Sequence, residues 1–253
     1  MTQCFLPLRR WSRGLAVVGL AASLSAQSGG ESWGESSRTY DGRFTFVRLR
    51  WDSGFGGGRR GMSSAWNHDF PRAEQNLVNL LKELTFIDGN AAGSLILTLD
   101  DPQLFRYPIA MMWEPGFWEL TDTEAAAFRA YLLKGGFAIF DDFEQEQWDN
   151  FEFQMRRVLP DARFVKLDQS HKIFDSFFRM KTIEFPHPMF GYKPNYYGVF
   201  EDNDPSKRLL IIANHNNDVA EYWEFLGQGL FAVDPSNEAY KLGVNYYIYA
   251  LTH

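Results

Sequence analysis

Short apolar runs alternating with amphipathic helices constrain this chain more than any other feature. Phe44 to Trp51, SLILTL (94–99), IAMMW (109–113), FAIF (137–140), RFVKL (163–167) and LLIIAN (209–214) read as strands. Between them, apolar residues return at helical spacing. Ala73, Leu77, Leu80, Leu81 and Leu84 form one such face after Pro71. Thr121-Asp122-Thr123-Glu124 is a capping box, and the helix it starts runs through Ala125, Phe128, Tyr131 and Leu132 to a stop at Gly135-Gly136. Trp148, Phe151, Met155, Val158 and Leu159 line a third helix, and Ala239, Leu242, Tyr246, Tyr249 and Ala250 a final one. Strands in this rhythm form βαβ units, which implies an α/β fold with a mostly parallel sheet covered on both faces. Residues 169–208 break the rhythm with Pro, His and dense aromatics, and are expected to form an insertion or long surface excursion.

The N-terminus carries a different signal. Arg9, Arg10 and Arg13 precede the apolar stretch Leu15 to Leu24, and small residues follow up to Ala26. This is the order of zones in a secretory signal peptide, so residues 1–26 are expected to be removed and the protein to be periplasmic or secreted. Gln27 to Gly42 is rich in Ser, Gly and Glu and reads as a flexible linker, leaving 43–253 as a single α/β domain. No transmembrane segment is expected in the mature chain. Loss of 1–26 removes three arginines and no acid, taking the formal charge from −7 to −10. Nucleic acid is therefore a poor partner. Cys4 is the only cysteine, so the mature chain has no disulfide, thiolate metal site or cysteine nucleophile.

TFVRLRW, YPIAMMWEPG, LLKGGFAIFDDF, RVLPDARFVKL, SHKIF and LGVNYYIYAL resemble a bacterial domain-of-unknown-function family, number 4159. The resemblance implies a class I glutamine-amidotransferase-like fold, related to the trehalose-utilisation (ThuA-like) proteins: a flavodoxin-like three-layer sandwich around a mostly parallel sheet. In amidotransferases the strand corresponding to FAIF ends in a sharp elbow bearing a nucleophilic cysteine. This chain has Asp141 and Asp142 in that region, which excludes glutaminase chemistry.

In an open α/β sheet, ligands bind beyond the carboxyl ends of the strands. Asp100 and Asp101, Trp113 and Glu114, Asp141 and Asp142, and the run Asn214 to Asp218 all fall at such ends. Acids gathered there suit a hard divalent cation such as Mg²⁺ or Ca²⁺, or acid–base work, although no cofactor is required by any motif. The structural alternative is that these acids start turns or cap helices. Because neighbouring strand residues face opposite ways, at most one Asp of each pair is expected to face a pocket. Trp66-Asn67-His68-Asp69 precedes a helix, for which Asp69 reads as the N-cap; the alternative is that Asn67 and His68 line the pocket. His171, His187 and His215 are scattered, without zinc-like spacing. Gly54 to Gly61 lacks the Lys-Ser/Thr of a P-loop and reads as a loop.

Two functional readings follow. One is a non-catalytic module that binds a ligand, or a protein or carbohydrate of the cell envelope, with Trp51, Trp66, Trp113, Trp118 and Trp223 available for contact. The other is a carbohydrate- or ester-directed hydrolase using Asp141, Asp142 and Asp100 with His171 or His215.

Overall fold

A computed structural model describes residues 41–53, 65–90 and 94–253. Residues 1–26, read above as a signal peptide, nearly all of 27–42, read as a linker, and the Gly54 to Gly61 stretch lie outside the described residues. The elements follow in the order β1 (Val47–Arg50), α1 (Arg72–Leu84), β2 (Leu95–Thr98), β3 (Ile109–Trp113), α2 (Asp122–Leu133), β4 (Phe137–Phe143), α3 (Gln147–Val158), β5 (Val165–Lys166), β6 (Asn195–Phe200), β7 (Leu209–His215), α4 (Val219–Glu224) and α5 (Val233–Thr252).

Seven strands form one sheet in the order β2-β1-β3-β4-β7-β6-β5. β2, β1, β3, β4 and β7 run parallel, and β6 pairs antiparallel with both β7 and β5. Helices cover both faces. Ile109, Met111 and Trp113 pack with residues of α1, α4 and α5, whereas Ala110 and Met112 pack with residues of α2 and α3. A strand covered on both sides needs apolar residues at every position, which is why IAMMW shows no alternation. The capping box of α2 forms as read, with Glu124 N donating to Thr121 Oγ1 at 3.2 Å and Thr121 N to Glu124 Oε2 at 2.9 Å. Among the described residues, no helix is long and apolar enough to cross a membrane.

Three features differ from the sequence reading. Residues 169–208 contain a sheet strand, β6, whose NYYGVF follows the chain-breaking Pro194. β4 continues past FAIF through Phe143, so both aspartates lie within a buried strand. The five tryptophans assigned to contact are all core: Trp51, Trp66, Trp113, Trp118 and Trp223 are each buried. Their indoles fill the layers between sheet and helices, where large apolar area is worth most.

The turn into β4 explains both of its glycines. Gly135 has φ +118°, a conformation L side chains rarely adopt, and a Cβ on Gly136 would lie 2.5 Å from the Tyr131 ring. Gly135→Val and Gly136→Val are each expected to lower stability by about 1–3 kcal/mol in urea denaturation. Unchanged midpoints for both would show that this turn tolerates side chains.

Candidate functional site

The paired acids at the end of β4 have different jobs. Asp141 shares its strand face with Ile139, and its carboxylate is fully buried. Oδ1 accepts from Asn214 Nδ2 and Oδ2 from the backbone N–H of Ala220, both at 2.8 Å. Tyr246 donates in turn to Asn214 Oδ1 at 2.7 Å. This chain of bonds ties β4 to β7, α4 and α5, so Asp141 is an anchor. Asp142 is left-handed (φ 60°), a conformation Asp tolerates better than most residues. The turn interrupts strand alternation and aims the carboxylate at His68, whose Nδ1 lies 2.7 Å from Oδ2.

His68 sits in the loop between β1 and α1. Its ring nitrogen is also 3.7 Å from Asp69 Oδ1 and 3.9 Å from Glu114 Oε1. Asp69 and Glu114 are left-handed as well, at φ 61° and 51°. Each such residue stores on the order of 1–3 kcal/mol, and each turns a carboxylate toward one place. Asp69 does not cap α1: its Oδ2 accepts from Trp113 Nε1 at 3.0 Å, and the N-cap position belongs to Pro71, with no side-chain bond. Asp218 caps α4 instead, accepting from Glu221 N at 3.0 Å.

Beneath this loop lies Arg48, wholly buried. Its Nε donates to Glu74 Oε1 at 2.5 Å, and its Nη1 to the carbonyls of Trp66 and His68, both at 2.8 Å. The guanidinium also stacks 3.5 Å from the Trp113 ring centre. Arg48 therefore fixes the backbone that presents His68 and Asp69.

Crowding of acids in a desolvated place shifts their titration. Burial, then the charge of Asp142, pushes Glu114 up to about 8. Burial, then the charge of Asp69, does the same to Glu221, also to about 8. Burial raises Asp141 to about 7 despite its two donors, and raises Asp218 well above the usual carboxylate range. The hydrogen bond to Asp142 holds His68 protonated, with its pKa raised to about 10. His68, Glu114 and Asp142 bring one ligand-type atom each to within 4.8 Å of one another. The sets His68–Asp69–Asp218, Asp69–Glu221–Glu224 and Asp142–Glu144–His187 meet the same limit.

His187 is neutral, because burial lowers its pKa to about 4. Its Nδ1 accepts from the backbone N–H groups of Met189 (3.2 Å) and Phe190 (3.4 Å). The proton is therefore on Nε2, which is buried and has no partner among the described residues.

Of the residues singled out from sequence, Asp142, His68 and Trp113 come together, and Asn67 lies half-buried on the His68 loop. Asp141 adjoins them as the anchor. Asp100 does not join: it is exposed at the end of β2, three strands from β4 and so roughly 14 Å away, accepting from Thr98 Oγ1. His171 packs on Phe200 and Tyr249, with Nδ1 accepting from Ile173 N. His215 packs on Trp148 and Phe143. Glu221 was missed because nothing local distinguishes it from an ordinary helix acid. His187 had a usable signal in its flanking prolines, Pro186 and Pro188, which stiffen the backbone around it.

Fold and site together define a mixed α/β domain with a buried acid cluster over its central strands and no thiol, Cys4 being the only cysteine. The chain belongs to a family of domains of unknown function, DUF4159, whose model matches residues 45–251. No curated protein matches it.

Proposed function

We propose that this is an exported, non-catalytic binding domain on a flavodoxin-like, class I amidotransferase-like fold, and that its acid cluster takes a positively charged ligand. The fold link is supported by the parallel strand order β2-β1-β3-β4-β7, which follows the doubly wound pattern with its ligand crevice at the carboxyl edge. The basic, apolar and small-residue zones before Ala26 support export to the periplasm or beyond.

One observation carries the binding reading. Asp69 before α1, Glu114 after β3, Asp142 in β4 and Asp218 after β7 crowd around a single histidine. Like charges held this close in a desolvated site repel, and a cation relieves that repulsion. Thermal-shift measurements with divalent cations and organic amines test the reading. Asp142→Asn is expected to abolish ligand protection with the fold intact. Asp141→Asn is expected to lower stability by about 1–3 kcal/mol and leave protection in place. Protection lost in Asp141→Asn but kept in Asp142→Asn would reverse the roles of the two acids.

The left-handed turn at Asp142, with a histidine on its carboxylate, favours a second reading: an ester- or carbohydrate-directed hydrolase. Strained residues gather at active sites, and a strand-end elbow is where such folds present a reactive group. Turnover of hydrolase substrates by the purified protein, abolished in Asp142→Asn, would establish it over the binding reading.

A further inference from the structure

We propose that His187, Glu144 and Asp142 form a subsite for a hydroxyl group of a neutral sugar or polyol. This goes beyond the cation reading and does not depend on it, since the group bound here is uncharged.

His187 supplies a donor with nothing to receive it. The residue is 2% exposed, and its Nε2 is buried without a partner among the described residues. The ring is not free to turn and relieve this. Its Nδ1 accepts from the N–H groups of Met189 and Phe190. The backbone N–H of His187 donates to the Tyr192 carbonyl at 3.0 Å, and its carbonyl accepts from Gly191 N at 2.9 Å. Tyr222 Oη pins the same loop by donating to the Pro186 carbonyl at 2.8 Å. A buried donor left unpaired costs on the order of 1–3 kcal/mol. A loop that holds one this firmly points to an acceptor arriving from outside.

The surroundings of the ring define that acceptor. A ring nitrogen of His187 and one carboxylate oxygen each of Asp142 and Glu144 lie within 4.8 Å of one another. With Nδ1 committed to its own loop, Nε2–H is the group left for these acids, yet it bonds neither. A metal ion does not suit it, because a protonated nitrogen has no lone pair to give. An anion is repelled by the two carboxylates, and an ammonium group cannot accept from N–H. A hydroxyl does both jobs: its oxygen accepts from Nε2–H while its proton goes to a carboxylate. Asp142 already holds His68 through Oδ2. Glu144 is only half-buried, and Gln147 Nε2 reaches its carboxylate at a long 3.3 Å. Glu144 is thus the partner able to turn and admit the oxygen.

Phe190 favours a sugar or polyol over a lone water. It is 60% exposed, and its ring centre lies 4.8 Å from that of His187 and 5.5 Å from that of Tyr192. Aromatic surface beside a few placed polar groups is the usual lining of a small-molecule site, and the C–H face of a polyhydroxylated ligand covers it.

Heteronuclear NMR spectra of histidine-labelled protein, titrated with glucose, sorbitol and N-acetylglucosamine, test the subsite. His187 is expected as the Nε2–H tautomer, with ring signals that shift saturably as one or more of these probes is added. His187→Asn places an amide oxygen where Nδ1 stood, so it keeps the two loop bonds and removes the buried donor. Probe affinity, read from the Gly191 and Tyr192 amide signals, should fall at least about ten-fold in His187→Asn and in Glu144→Gln. It should stay unchanged in the remote Asp100→Asn. Amide spectra check folding, and if one variant unfolds the other decides. A His187 proton on Nδ1, no saturable shift with any probe, or undiminished affinity in a folded variant of His187 or Glu144 overturns the proposal. Because the probes carry no charge, failure of the cation reading leaves this result standing, and the converse holds.

Discussion

Arg48→Met is expected to destabilise the domain by about 3–5 kcal/mol, as when one partner of a buried ion pair is removed. Methionine fills much of the volume but offers no donor. Glu74, 1% exposed, would keep its carboxylate with the Ser94 hydroxyl, at 3.4 Å, as its one remaining side-chain donor among the described residues. The carbonyls of Trp66 and His68 would lose their shared donor, and the Trp113 ring its stacked cation. Replacing both partners with apolar residues, Arg48→Met with Glu74→Leu, should recover much of the loss, because no charge is then stranded. Ligand affinity should not recover with it, since the His68 loop is untethered in both proteins. Urea denaturation of the single and double variants measures the first effect, and ligand titration the second. A single variant as stable as the native protein would show that Arg48 does not hold this loop.

Stability of the ligand-free protein is expected to fall as pH rises from about 4 toward 8. Asp141, Glu114 and Glu221 titrate near 7, 8 and 8 when folded, against ordinary values of 3.8, 4.5 and 4.5. Each therefore binds its proton more tightly folded than unfolded. The stability this contributes is complete below about pH 4 and is lost as pH rises through 7 to 8. For fully buried Asp141 alone the change is on the order of 4 kcal/mol, or about 10 °C in Tm for a domain of this size. His68 acts with the same sign in a higher window, because its pKa is raised from 6.5 to about 10. The support it gives is full below about 6.5 and disappears as pH passes 10. Calorimetric melts across this range check the prediction. Asp141→Asn should flatten the slope near pH 7, since asparagine does not ionise. A Tm that is level or rising from pH 5 to 8 would contradict the buried-acid account.

The division of labour between Asp141 and Asp142 shows where sequence reasoning stops. KGGFAIFDD announces a turn, a strand and two acids, and the expectation that only one acid faces a pocket rested on strand alternation. Only one does enter the cluster, but alternation is not the reason. Asp142 is turned out of the strand pattern by its left-handed backbone, which is held by its N–H bond to the Asn217 carbonyl at 3.2 Å. That partner lies far along the chain. Asp69 illustrates the same limit. Its place before a helix suggested a cap, yet Trp113, on another strand, claims its carboxylate.

The sequence by itself determined the α/β class, most strands and helices, the capping box of α2, the glycine turn into β4 and the absence of any thiol from the domain. These follow from periodicity, local hydrogen bonding and composition, all of which act over a few neighbouring residues. Tertiary structure alone decided that the tryptophans are core, that Asp100 stands apart, and that Asp69, Glu114, Asp142 and Asp218 meet at His68. The reason is strand order: β1, β3, β4 and β7 lie side by side although their sequence positions are widely separated. Which loops share an edge depends on how the whole sheet is assembled, and no local pattern records that.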